Sequence, residues 1–248
     1  MVRFAGRFPR SGSRDHPLPG CGPARAGALF ELTGQFKGGV MEVHADHVVV
    51  TGAHGRLLEP TSLRVRPGEL AVVAGEPNAG HTAFGLALTG RITPSAGSVT
   101  PSAGELRAHA VLVDAPEVTA PEPNLRVADV IAEELALAGA RGRRATTAEL
   151  LAEHGLAAGT RFEDVPGAAR VALLTRLAAL RPGAELLVLD TPDRHSSNPA
   201  DWLPTAMAQA RDGRAVVVLC GTSTALRLPI NPARLGESDQ PAPLESTL

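Results

Sequence analysis

The stretch Gly75-Glu76-Pro77-Asn78-Ala79-Gly80-His81-Thr82 follows the apolar run at 70–74 and leads directly into Ala83-Phe84-Gly85-Leu86-Ala87-Leu88. Two glycines five positions apart, with a hydroxyl residue two positions beyond the second, have the spacing of a P-loop. Such a loop needs a strand to aim it, glycines that let backbone N–H groups curl around phosphate oxygens, and a helix whose N-terminus adds positive partial charge. Here 70–74 reads as the strand and 82–88 as the helix. One position departs from the pattern, because His81 stands where lysine would. Lysine there is a fixed charge, whereas an ordinary histidine, with a pKa of about 6.5, is largely neutral at pH 7 and shorter. The candidate phosphate-binding set is Gly75, Glu76, Pro77, Asn78, Ala79, Gly80, His81, Thr82 and Ala83.

At 248 residues the chain suits one sizeable α/β domain, or a domain with extensions, and is long enough to bury a real core. It is 44% hydrophobic but only 3% aromatic, with no tyrosine, so the core is expected to be Ala, Val and Leu. A formal charge of −2 argues against a nucleic-acid partner held by phosphate attraction. Cys21 and Cys220 lie far apart without metal-ligand spacing and read as reduced thiols of a cytosolic protein. No apolar run approaches the roughly 18 residues of a membrane span, so any membrane link is expected to run through a partner. Lys37 is the only lysine, so no lysine beyond the loop can replace the missing one; an arginine could.

Residues 1–40 hold four of the six phenylalanines and a basic excess but show no helical or strand period, and they read as a disordered extension without a signal-peptide core. The folded domain is expected over 41–228, with Met41 a candidate translation start. Strands are expected at 41–50, 62–66 and 70–74, turns around a short strand at 93–104, and a buried strand at 108–113 that ends at Asp114. Pro116, Pro121 and Pro123 keep the next segment extended before helices at 127–138, 147–154 and 167–180. The basic cluster Arg141-Gly142-Arg143-Arg144 reads as a solvated turn between the first two. Residues 185–190, apolar from Leu186 to Leu189 and ending in the Asp190 carboxylate, and the all-apolar 215–219 read as strands of the kind that parallel sheets bury on both faces. Between them 199–210 reads as a helix with Trp202 packed inside, and 229–248, rich in proline and serine, reads as a flexible tail. Helices alternating with buried strands imply a mostly parallel sheet covered on both sides.

Asp190 provides a second anchor, because P-loop proteins hold Mg²⁺ between the loop hydroxyl and an aspartate of a neighbouring strand. Thr82 and Asp190 fill those roles and are the candidate metal ligands. Asp193 and His195 follow closely, but one strand end cannot aim all three side chains at one ion without strain. His44 and His47, three apart on a strand, are expected on opposite faces, which argues against a shared metal.

With both anchors in place, the order of segments resembles the ATP-binding cassette family, the nucleotide-binding subunits of ABC transporters. Leu63-Arg64-Val65-Arg66-Pro67-Gly68-Glu69-Leu70 before the loop and Leu186-Leu187-Val188-Leu189-Asp190-Thr191-Pro192-Asp193 after it look like the family's stretches, over roughly 43–221. The resemblance implies a P-loop NTPase with a RecA-like, mostly parallel sheet and an inserted helical subdomain at about 117–180. It also implies ATP and Mg²⁺ as cofactors and a membrane permease as partner at the inner face of the cell membrane. A second ATP-binding subunit, identical or different, would clamp ATP between one subunit's loop and the other's signature turn.

Several positions depart from the family's pattern. The loop lysine corresponds to His81, the catalytic glutamate to Thr191, and the glutamine after the third long strand to Asp114 or Ala115. The signature turn falls on Val165-Pro166-Gly167-Ala168-Ala169, and the switch histidine on or beside Gly221. His54 is the nearest flat ring where an aromatic would stack on adenine, and Asp193-Arg194-His195 falls in the loop that crosses to the dimer partner. These changes remove γ-phosphate and transition-state contacts while the loop glycines and apolar strands remain. The resemblance therefore implies Mg-ATP binding with weak or partner-dependent hydrolysis; the alternative is a catalytically inactive pseudo-ATPase that acts as a scaffold.

Overall fold

A computed structural model of the chain describes residues 41–140 and 143–245. The extension read at 1–40, with Cys21 and Lys37, lies outside the described residues, as do Arg141 and Gly142 of the basic cluster. The elements run β1 (Val43–Gly52), β2 (Gly55–Val65), β3 (Glu69–Gly75), α1 (His81–Leu88), β4 (Ala96–Thr100), α2 (Ala103–His109), β5 (Ala110–Val113), α3 (Val127–Leu137) and α4 (Arg143–Glu153). They continue with α5 (Gly167–Ala179), β6 (Leu186–Asp190), α6 (Leu203–Arg211), β7 (Ala215–Gly221), α7 (Thr222–Ala225), β8 (Ala233–Arg234) and β9 (Leu244–Glu245).

The main sheet has the order β5-β6-β7-β3-β8, with these pairs parallel, and β9 joins β3 antiparallel. A smaller antiparallel sheet, β2-β1-β4, stands beside it. The apolar runs explain the main sheet, because every residue of β3, β5 and β6 is buried, and a strand buried on both faces must offer apolar side chains to each. Alternate residues divide between two cores. Leu70, Val72, Val216, Val218 and Leu187 enter one with α3, α5 and α6, while Ala71, Val73, Val217, Leu219 and Val188 enter the other with α1 and the smaller sheet. Each fully buried Val or Leu contributes about 1.5–3 kcal/mol, so the sheet is the main source of stability. Phe84, Phe162 and Trp202 are also fully buried, so aromatics supplement the expected Ala, Val and Leu core.

Three sequence expectations change. Residues 103–109, read as turn and strand start, form α2, which is capped by Ser102: its hydroxyl accepts from Glu105 N while the Glu105 carboxylate accepts from Ser102 N at 3.0 Å. The Ser-x-x-Glu spacing that specifies this box is present in the sequence. In β1 a register shift with His47 at φ 47° interrupts the alternation, and His44 and His47 are both exposed. The segment read as a flexible tail instead completes the sheet edge. β8 and β9 pair with β3, Leu235 N donates to Ala74 O at 2.8 Å, and Gly236 N donates to Thr61 Oγ1 at 2.8 Å. Proline and serine suggest fraying, but two two-residue strands pair with both ends of the open edge of β3.

Residues 117–180, read as a helical subdomain, hold α3 and α4, which pack on each other, and α5, which also lies on β5 and β6. No helix among the described residues is long and apolar enough to cross a membrane.

Candidate functional site

β3 delivers the loop and α1 receives it. Gly80 is the residue before the first turn of α1 with φ 98°, and a Cβ there would stand 2.2 Å from Leu57 O. Only glycine accepts both that left-handed backbone and so close a neighbour. Asn78 is also left-handed, at φ 66°. The first turn of α1 holds no acidic residue, so its N-terminal charge is not neutralised within the helix.

The His81 ring folds back over the start of the loop. Its Nε2 lies 3.0 Å from Cys220 O, and because a carbonyl only accepts, Nε2–H is the donor. A Cβ on Gly75 would meet that same Nε2 at 3.0 Å and Leu235 Cδ1 at 2.7 Å. His81 thus ties α1 to the end of β7.

Thr82 and Asp190 meet. Thr82 Oγ1 donates to Asp190 Oδ2 at 2.6 Å, and Asp190 is 1% exposed with its Oδ1 buried and without a hydrogen-bond partner among the described residues. Burial pushes the Asp190 carboxyl above its ordinary value, against hydrogen bonds from Thr82 and Thr191 and the positive charge of Arg194. An orphaned carboxylate oxygen beside a hydroxyl fits a hard cation of the Mg²⁺ type, which takes one or two protein oxygens and completes its shell with water and phosphate.

A buried charge cluster adjoins the pair. Asp114, at φ 57° after β5, accepts from Arg170 Nε at 2.9 Å and from Arg170 NH2 at 2.7 Å. Arg194 NH2 is 2.9 Å from Asp114 Oδ1 and also donates to Asp114 O, and His195 Nε2 is 3.0 Å from Asp114 Oδ2. Burial would raise the Asp114 carboxyl, but hydrogen bonds from Arg170 and His195 and the charge of Arg194 outweigh it and hold the carboxyl below its ordinary value. Arg170 also lies 4.5 Å from the centroid of the Phe162 ring.

A cavity of about 650 Å³ opens at the loop. Asn78, Gly80, His81, Thr82 and Ala83 line one side; Val50, Leu57, Leu86 and Ile92 give it apolar walls, and Thr51, Thr93 and Thr191 polar points. Gly75, Glu76, Pro77 and Ala79 form the remainder of the loop and do not line it, nor does His54, which is exposed. The apolar walls were not singled out from the sequence.

The other positions matched by motif go separate ways. Asp193 accepts from Gly221 N at 2.9 Å while His195 faces Asp114, so Asp190, Asp193 and His195 do not converge. Arg194 and His195 turn inward rather than projecting only to a partner. Thr191 is left-handed at φ 47°, and Pro166 precedes α5. A Cβ on Gly167 would stand 2.4 Å from His195 O, so the start of α5 packs on its own chain.

No protein-family model and no curated protein matches the sequence. Solved structures do match. A Pyrococcus furiosus protein described as an ABC transporter ATP-binding protein aligns with a TM-score of 0.59 and 14% identity over 78% of this chain and 96% of its own. A nucleotide-free ATP-binding cassette from an ABC transporter gives 0.58 and 13% over 81% and 92%, and an ATP-binding subunit of an ABC transporter gives 0.54 and 15% over 73% and 80%. The chain therefore has the fold of ABC-transporter ATP-binding domains, a P-loop NTPase fold built on a parallel sheet with flanking helices.

Proposed function

We propose that the chain is the ATP-binding subunit of an ABC-type transporter and binds Mg-ATP through its loop, with Thr82 and Asp190 as the protein ligands of the ion. The 2.6 Å bond between Thr82 Oγ1 and Asp190 Oδ2 carries this reading, since it unites the loop hydroxyl and the strand-end carboxylate that such an ion requires. When bound, Mg²⁺ neutralises charge on the β- and γ-phosphates. The loop N–H groups and the α1 terminus hold phosphate oxygens, and the apolar cavity walls take the base. Thr191 has no carboxylate to receive a proton from water, and Gly221 has no side chain, so hydrolysis is weak or depends on a second ATP-binding subunit, identical or not. In this reading the chain works in the cytoplasm, docked to a membrane permease at the inner face of the cell membrane.

A second reading, a pseudo-ATPase scaffold, draws support from His81, whose ring lies against Gly75 and donates to a backbone carbonyl. Calorimetry of the full chain with Mg-ATP separates the two, with Gly80→Asp as a blocked loop and His81→Lys as a restored charge. Micromolar to low-millimolar binding that Gly80→Asp abolishes and His81→Lys tightens is expected. Absence of binding in wild type, not restored by His81→Lys, would leave the scaffold.

A further inference from the structure

The loop presents backbone N–H groups to phosphate, but its own imidazole donates to Cys220 O. Triphosphates are held by charge as well as by backbone donors, and charge-assisted bonds are the strong ones. Resting on the nucleotide-binding reading, we propose that Arg194 supplies the terminal phosphate with the positive charge that position 81 lacks.

Arg194 lies in the 3-10 turn Pro192–Arg194, directly after β6. Its NH1 is 3.2 Å from Asp190 O and 3.4 Å from the hydroxyl of Thr191, a residue that lines the cavity together with His81 and Thr82. The guanidinium does not itself line the cavity but stands against two residues at its border, the strand-end Asp190 and the cavity-lining Thr191.

Its present contacts leave it able to act there. Both carboxylate oxygens of Asp114 are already bound by Arg170, whose side chain is enclosed at 10% exposed. Arg194 shares only Oδ1 of that carboxylate, and the remaining partners of its NH1 and NH2 are neutral oxygens: Asp190 O, Asp114 O and Thr191 Oγ1. Of the other two carboxylates nearby, Asp190 accepts from the Thr82 hydroxyl through Oδ2 and Asp193 accepts from Gly221 N, and neither is ion-paired with Arg194 among the described residues. At 25% exposed, the Arg194 side chain keeps a solvent-facing part, and its rigid fork can hold Asp114 through NH2 while NH1 exchanges a neutral oxygen for a phosphate oxygen. Arg194 is thus a phosphate-binding residue, with Asp114 orienting it.

The test is the affinity of the full chain for Mg-ATP relative to Mg-ADP, measured by calorimetry for wild type, Arg194→Gln and Arg194→Lys. Wild type is expected to prefer ATP by about tenfold, the fold-change that about 1.4 kcal/mol of charge-assisted bonding gives. Arg194→Gln, which keeps hydrogen bonding but removes charge, should bring the ratio close to one with ADP affinity unchanged, and Arg194→Lys should retain most of the preference. A purely structural role would weaken ATP and ADP together and leave their ratio at the wild-type value in Arg194→Gln; that result overturns the proposal. Nucleotide binding by wild type with no preference for ATP also overturns it and leaves the nucleotide-binding reading standing, whereas no binding of either nucleotide removes both.

Discussion

Thr82 Oγ1 and Asp190 Oδ2 stand 2.6 Å apart although 108 residues separate them, and β7 lies between the strands that deliver them. The carboxyl is buried with one oxygen unpartnered, and burial raises its pKa above the unfolded value. The folded state therefore holds the proton more tightly, and ionisation at neutral pH costs stability. Asp190→Asn should melt a few degrees higher than wild type at pH 7, the shift that about 1 kcal/mol of relieved desolvation makes in a domain of this size. The advantage should shrink as pH falls through the raised pKa and towards the ordinary aspartate range. The same variant should lose any strengthening of nucleotide binding by Mg²⁺. Thermal melts across pH, with titrations in Mg²⁺ and in chelator, check both; a lower melting point at pH 7 would contradict the first.

Asp114 has the opposite sign. Its pKa is held below the ordinary aspartate value, so its ion pairs contribute stability that is complete above the unfolded pKa and disappears as pH falls through the folded one. Denaturant unfolding should show an acid limb below about pH 4 that flattens in Asp114→Asn. At pH 7, Arg170→Met should cost about 3–5 kcal/mol, because it strips the bidentate partner from a buried carboxylate. The double variant Asp114→Asn with Arg170→Met should recover part of that loss. An unchanged acid limb in Asp114→Asn would mean that other carboxylates govern it.

Two glycines give a contrast within one molecule. Gly80→Ala places a Cβ 2.2 Å from Leu57 O on a backbone at φ +98° and should cost at least about 2 kcal/mol, with nucleotide binding lost. Gly104→Ala in α2 meets nothing closer than Ser102 Oγ at 3.9 Å and should stabilise by about 0.5–1 kcal/mol. Equal effects on the two unfolding midpoints would sink the claim that the hairpin backbone dictates Gly80.

The C-terminal segment should be required for folding. Ending the chain after residue 229 removes β8 and β9 and leaves the Ala74 carbonyl and the edge of β3 unpaired, so little soluble folded protein is expected. Leu235→Ala, which leaves the backbone pairing intact, should cost about 1–2 kcal/mol, less than a fully buried leucine. A truncated chain as stable as the full one would show that these strands contribute nothing.

The sequence by itself determined the strands of the main sheet, the glycine loop and the meeting of Thr82 with Asp190. Unbroken apolar runs at 70–74, 186–189 and 215–219 suit strands buried on both faces, and the glycine spacing at 75 and 80 describes a turn that is local in the chain. The pairing of Thr82 with Asp190 followed from motif order. The tertiary structure decided the rest. His81 bonds to a carbonyl 139 residues away because strand order sets β7 beside β3, and no local pattern encodes strand order. Arg194 and His195 turn inward because β5 and β6 are neighbours and bring Asp114 within reach; in the sequence they are two polar residues of a loop far from Asp114. The tail became an edge because β3 had unpaired backbone groups on that side, a demand made by the rest of the fold rather than by the proline-rich segment that meets it.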